Sequence, residues 1–220
     1  MAMEYFHKAM RIRDSIQDES GVAYALHDIG HIIMNFEKNN TKALDYFIKS
    51  LEIRERIDDK INVSTCLVSI GKIYKQEYDY DKALSYFNDA LKISQEIGES
   101  KKIALIDIEI GSVYLELKDY DQALYFFRKS YDINQEIGYN QGIAKSLNKI
   151  GMVYWMMNQT NNAISYAKKA YAIFNELGDL EGIISSSKLL CDNYKKLNKT
   201  KEALNMYELY VSTKDSVQSR

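Results

Sequence analysis

The chain has 220 residues, 46% of them hydrophobic, 27% charged and 12% aromatic, a profile of soluble globular domains that excludes the disordered class. Its formal charge of −2 and sequence pI near 6.0 leave no basic excess to hold a phosphate backbone, so neither a nucleic-acid partner nor direct membrane contact is expected. No apolar run reaches the ~18–20 residues that span a bilayer, and the opening Met1 to Lys8 lacks the basic-then-apolar layout of a signal peptide. Cys66 and Cys191 stand far apart, without the density of a disulfide scaffold or the paired spacing of a zinc site, and read as buried free thiols. Proline is absent, which favours helices joined by short turns.

Self-alignment reveals a period of forty. Ile29-Gly30, Ile70-Gly71, Ile110-Gly111, Ile150-Gly151 and Leu190-Cys191 form one register, and Ala43-Leu44, Ala83-Leu84, Ala123-Leu124, Ala163-Ile164 and Ala203-Leu204 a second. One extra residue lies between Gly30 and Ala43, and is expected in the turn Glu37-Lys38-Asn39-Asn40. Apolar residues recur at three- and four-residue intervals, predicting helices over 2–16, 20–36, 41–57, 60–77, 80–97, 100–117, 120–137, 140–157, 160–177, 180–197 and 200–216. Asp79 and Asp119 stand where second helices begin and should cap them, while Gly98, Gly138 and Gly178 should close second helices in left-handed conformation.

The small residue at Gly71, the aromatic three later at Tyr74, and the following Tyr-Asp-x-Ala-Leu-x-Tyr-Phe pattern resemble the tetratricopeptide repeat, with five copies in phase across the chain. Gly71 and Ala83 would let paired helices approach, with Tyr74 and Phe87 filling the space beside them. The 40-residue unit and missing proline are similar to the longer variant of kinesin light chains, cell-polarity adaptors and bacterial sensors. Copies decay at Ile33, Cys191 and Ala167. The resemblance implies an all-α, right-handed superhelical solenoid of antiparallel helix pairs. It would form one repeat domain over 1–220, with an orphan second helix at 1–17 and repeats at 20–57, 60–97, 100–137, 140–177 and 180–216. A start in mid-repeat reads as a piece of a longer protein or as an unusual amino-terminal cap, whose Tyr5, Phe6 and Met10 would support weak self-association.

Catalytic constellations are scarce. There is no phosphate loop, and three histidines offer little for a nucleophilic triad, so no enzyme activity, cofactor or metal is expected. His27-Asp28-Ile29-Gly30-His31 places two imidazoles at the i, i+4 spacing of zinc hydrolases, but with Asp for the usual Glu and no assignable third ligand. The preferred reading makes both histidines polar lining of a groove.

First helices of the family line a concave surface that binds peptides or partner helices. The resemblance assigns to it Tyr24, His27, His31, Met34 and Asn35; Val68, Lys72 and Lys75; Leu105, Ile108, Ser112 and Leu115; Lys145, Asn148, Met152 and Trp155; Lys188, Asp192 and Lys195. The carboxylate-clamp residue set of chaperone-binding members is not reproduced. The expected function is therefore a protein- or peptide-binding scaffold, for a partner with hydrophobic anchors and an acidic end toward Lys145, Lys188, Lys195 and Lys196. Trp155 is either the anchor or a packing residue between units. The alternative is a ligand-sensing segment of a bacterial signalling protein, motivated by the start and by an ending, Tyr210 to Ser216, similar to the last repeat of such sensors.

Overall fold

The computed structural model describes Arg13 and residues 16–219. The expected helix over 2–16, with Tyr5, Phe6 and Met10, lies outside the described residues except at its end. The rest is all-α, ten helices among the described residues: α1 Glu19–Ile32, α2 Asn40–Arg56, α3 Lys60–Gln76, α4 Tyr80–Glu96, α5 Ser100–Glu116, α6 Tyr120–Glu136, α7 Asn140–Met156, α8 Thr160–Leu177, α9 Leu180–Lys196 and α10 Thr200–Gln218. Two compact units result, Met1–Glu99 with α1–α4 and Ser100–Arg220 with α5–α10. In the first, α1 pairs with α2 and α3 with α4, while α3 stacks on α2. In the second, α5–α6, α7–α8 and α9–α10 pair, with α7 on α6 and α9 on α8.

Pairing follows from the small residues. A Cβ added to Gly71 would lie 2.7 Å from Phe87 Cε1, and one on Gly111 2.7 Å from Phe127 Cε1, closer than carbon atoms pack. Each ring therefore occupies the place a side chain would take on the facing helix. The tyrosines three residues past each glycine finish the pair by stacking: Tyr74 on Tyr86 at 5.4 Å, Tyr114 on Phe126 at 5.6 Å and Tyr154 on Tyr166 at 5.4 Å between centroids.

The connections use one device throughout. Tyr78 closes α3 with φ +61°, its N–H donating to the Lys75 carbonyl at 3.1 Å, and the next N–H, of Asp79, donates to the Tyr74 carbonyl at 2.9 Å, a Schellman closure. The Asp79 carboxylate in turn accepts from Lys82 N at 3.2 Å to open α4. Asp119 does the same for α6, and Asp59 and Asp179 cap the first helices α3 and α9. The left-handed position recurs at Lys38, Asp58, Tyr78, Gly98, Lys118, Gly138, Asn158, Gly178 and Asn198. Gly98, Gly138 and Gly178 are the glycines expected there.

The extra residue departs from expectation. After α1 the backbone runs through a π-helical turn, Ile33–Glu37, and the left-handed Lys38 comes eight residues past Gly30, whereas Tyr78 comes seven past Gly71. From there to Ala43 and to Ala83 the distance is five in both. The insertion is thus absorbed by the wider i→i+5 winding of the helix end, and the turn keeps its geometry.

Left-handed backbone costs a non-glycine residue about 1 kcal/mol. Lys118→Gly is therefore expected to raise stability by about that amount less the added chain entropy, and Gly98→Ala to lower it by about 1 kcal/mol, in urea unfolding of the variants.

Candidate functional site

In the first unit, α1 and α3 carry the expected groove residues. Tyr24 is exposed and donates nothing inward; its hydroxyl accepts from Asn62 Nδ2 at 2.7 Å. His27 and His31 lie edge to face, 4.6 Å between centroids, both rings within 5.1 Å of the Phe47 ring. Their Nε2 atoms converge on one hydroxyl, Ser69 Oγ, at 3.1 and 3.4 Å. His27 is buried and His31 half-buried, so the motif with metal-site spacing is a packed pair bridging α1 to α3. Among the described residues no three His, Cys, Asp or Glu groups are placed to hold a metal. Val68 is buried, and Lys72 and Lys75 are half-buried. The π-helical turn also shifts the expected groove positions at the end of this helix by one residue. Counted back from the left-handed position, Lys75 and Gln76 correspond to Asn35 and Phe36 in place of Met34 and Asn35. Phe36 is 82% exposed. The 41-residue first step was the signal for it, readable only once the insertion was located.

In the second unit, Ile108 on α5, Lys145, Asn148 and Met152 on α7, and Gly182 and Ser185 on α9 line a cavity of about 400 Å³. Asn148 is 5% exposed. Its Nδ2 donates to Ser185 Oγ at 2.6 Å, while its Oδ1 has no hydrogen-bond partner. Leu105, Lys145, Lys188 and Lys195 are exposed, Asp192 is half-buried, and Ser112 and Leu115 are buried; Ser112 bonds back to the Ile108 carbonyl. Lys195 belongs to a separate depression of about 320 Å³ with Leu204 and Tyr207. Trp155 is half-buried against Ile164, Ala167, Leu189, Leu190 and Tyr194, with Lys196 Nζ 5.2 Å from its ring centroid. It packs into the seam between α7 and α9. Cys66 and Cys191 are free, buried thiols.

Comparison with known proteins agrees with the all-helical repeat fold. The family profile described as tetratricopeptide repeat matches residues 21–96 and 102–176. The chain belongs to the tetratricopeptide-repeat family. No curated protein matches it. Among solved structures it is similar to BtubC (BKLC) from P. vanneervenii, with TM-score 0.80 and 16% identity over 99% of this chain and 91% of that one. It is similar also to aspartyl phosphate phosphatase F from Bacillus subtilis, with TM-score 0.79 and 20% identity over 93% of this chain and 54% of that one. A third is the Rap conjugation gene regulator of plasmid pLS20, solved in complex with the Phr* peptide, with TM-score 0.77 and 18% identity over 94% of this chain and 56% of that one. At these identities the likeness is one of fold.

Two buried titratable groups in these repeats were not both visible in advance. Asp107 on α5 is fully buried at the register position of Leu67 and Leu147. Lys129 Nζ donates to its Oδ1 at 3.1 Å, and its Oδ2 has no partner. Burial, only partly offset by Lys129, pushes its pKa up to about 6. For His27, burial first, then His31 and Arg54, pull the pKa down to about 3; His31 is lowered by burial and by Lys72.

The two shifts act with opposite sign over the same acid range. His27 is neutral when folded, so its contribution is intact above the ordinary value of 6.5 and is lost as pH falls from there toward 3. His27→Gln should flatten that acid-side loss, whose slope approaches ~1.4 kcal/mol per pH unit. Asp107 favours its protonated form when folded, so its contribution is intact below 3.8 and is lost as pH rises to about 6. Asp107→Leu should therefore stabilise the chain by on the order of 2 kcal/mol at pH 7.5 and lose most of that advantage by pH 4, in thermal melts across this range.

Proposed function

We propose that this chain is a peptide-binding scaffold and that the α5–α7–α9 cavity of the second unit is its receptor. The observation that carries the reading is Asn148. A buried carboxamide fixed through its Nδ2, with an acceptor oxygen unengaged beside an apolar floor of Ile108 and Met152, suits the N–H of an extended backbone whose side chains enter the apolar part. Lys145 and Lys149 line the same cavity together with Asp179 and Glu181, and the acidic residue we expect on the ligand would be met by these lysines with the exposed Lys188 of α9. The similar plasmid regulator is in complex with a peptide, which supports a peptide as ligand class here. No catalytic step is assigned.

The regulator also motivates a second reading, in which peptide binding by this segment controls an effector. The chain spans 56% of the regulator's length, so that reading concerns a larger assembly.

Selection from a displayed library of random dodecapeptides is the test, with isothermal calorimetry on the winners. Enriched peptides should carry an apolar residue next to Asp or Glu. Asn148→Ala should weaken their binding about tenfold. Lys145→Glu with Lys188→Glu should weaken it less and flatten its salt dependence. Trp155, the chain's only tryptophan, reports binding by fluorescence through Met152, which packs in the same cluster. Unchanged affinity in Asn148→Ala and Met152→Glu alike would remove the cavity from the reading.

A further inference from the structure

Arg54, near the end of α2, heads the fully buried side chains by size and is 1% exposed. Its guanidinium lies under Tyr24 of α1, 4.8 Å from the ring centroid. Nη1 donates to the Asn62 carbonyl at 3.0 Å, linking α2 to α3. The remaining donors, Nε and Nη2, have no hydrogen-bond partner among the described residues. These two lie side by side on one edge of the planar group, at the spacing that meets the two oxygens of a carboxylate.

A cation removed from water is unfavourable without a counter-charge, and among the described residues no ion pair or charged hydrogen-bond acceptor meets this one. Asp59 engages Asn62 with both oxygens, Oδ1 accepting from the backbone N–H at 3.3 Å and Oδ2 from Nδ2 at 2.7 Å. Cys66 hydrogen-bonds Ser50 and lies close enough to Arg54 for the guanidinium to pull its thiol down, but burial outweighs that and pushes it up, so it is a neutral neighbour and no counter-charge. His27 is neutral at ordinary pH. Among the described residues Arg54 thus has no charged acceptor hydrogen-bonded to it, the Asp59 carboxylate having both oxygens turned to Asn62.

We propose that Arg54 is the floor of a carboxylate-binding site in the first unit, with Tyr24 as its lid. Tyr24 is 45% exposed and is held by a single hydrogen bond to Asn62, so rotation about its side-chain torsions uncovers the guanidinium without moving the backbone. The carboxylate then takes Nε and Nη2, and Nη1 keeps its bond to α3. The site is separate from the α5–α7–α9 cavity and stands whether or not that cavity binds peptides.

The test is made on the whole, ¹⁵N-labelled chain. With six arginines in the sequence, the Nε–Hε correlation of Arg54 is identified by its loss in Arg54→Met, or in Arg54→Lys should the first variant not fold. Sodium acetate is exchanged for sodium chloride at constant ionic strength. The expected result is a saturable downfield shift of the Arg54 Hε in acetate and none in chloride, reached at several-fold lower acetate in Tyr24→Ala. Acetyl-Gly-Gly-Leu with a free carboxylate, its amide, and amidated acetyl-Gly-Asp-Gly then separate a chain terminus from an acidic side chain, and a response to acetate alone points to a small free acid. Coincident spectra in acetate and chloride, for both the native chain and Tyr24→Ala, would overturn the proposal and leave Arg54 as a bridge between α2 and α3.

Discussion

A phenyl ring seated where a Cβ would be sets the spacing between paired helices, and the rest of the architecture depends on it. Phe87 against Gly71 and Phe127 against Gly111 bring two backbones closer than ordinary side chains allow. Once that approach is made, Ala83 and Ala123 are completely buried, and the tyrosines three residues past each glycine can stack on the second helix. Where Ala167 replaces the ring, Gly151 instead meets Leu189 of α9 and the backbone of α8. There the pair is held partly from the next repeat, and Trp155 is drawn into the same seam.

This tight apolar geometry gives the polar interior its character. A side chain that reaches the seam finds few partners, so each polar group there is either paired with one neighbour or left partly unmet. Ser64 and Ser94 satisfy one another and the Ala90 carbonyl. Asn148, Asp107 and Arg54 each retain an unengaged atom. Asp107 stands in a column of leucines with one lysine in reach, a local conflict of the kind that folds tolerate only against stability elsewhere. Asn148 lines a cavity and Arg54 lies beneath Tyr24, and in the readings proposed above the same conflict would become a basis for recognition.

How much of this the sequence discloses depends on how local the cause is. The helix pairs were legible because glycine, alanine and phenylalanine recur at fixed separations, and the caps because Asp79 and Asp119 act on amides three residues away. The insertion was legible as a count but not as a place, since a helix end and a turn can each absorb a residue. Burial along the groove was less accessible. Val68, Ser112 and Asn148 occupy inward positions of first helices, and whether such positions face solvent or a neighbouring helix depends on stacking between repeats. Arg54 was invisible, because an arginine in the last turn of a helix reads as a solvated charge suited to the dipole, and only α1 folding over it reveals otherwise.

The left-handed residue that closes each helix, at Lys38, Asp58, Tyr78 and onward to Asn198, keeps a fixed beat of twenty, and the residue after it starts the next helix, capping it through a side chain at Asn39, Asp59, Asp79, Asp119 and Asp179. Because the closure is made by backbone groups, lysine, aspartate, tyrosine, asparagine and glycine all serve. A gain or loss of forty residues therefore joins one such turn to an equivalent one, and the splice needs no new loop. The chain is built so that its length can be inherited in units, with single-residue errors, such as the one after Gly30, shunted into a helix end where the joints are spared.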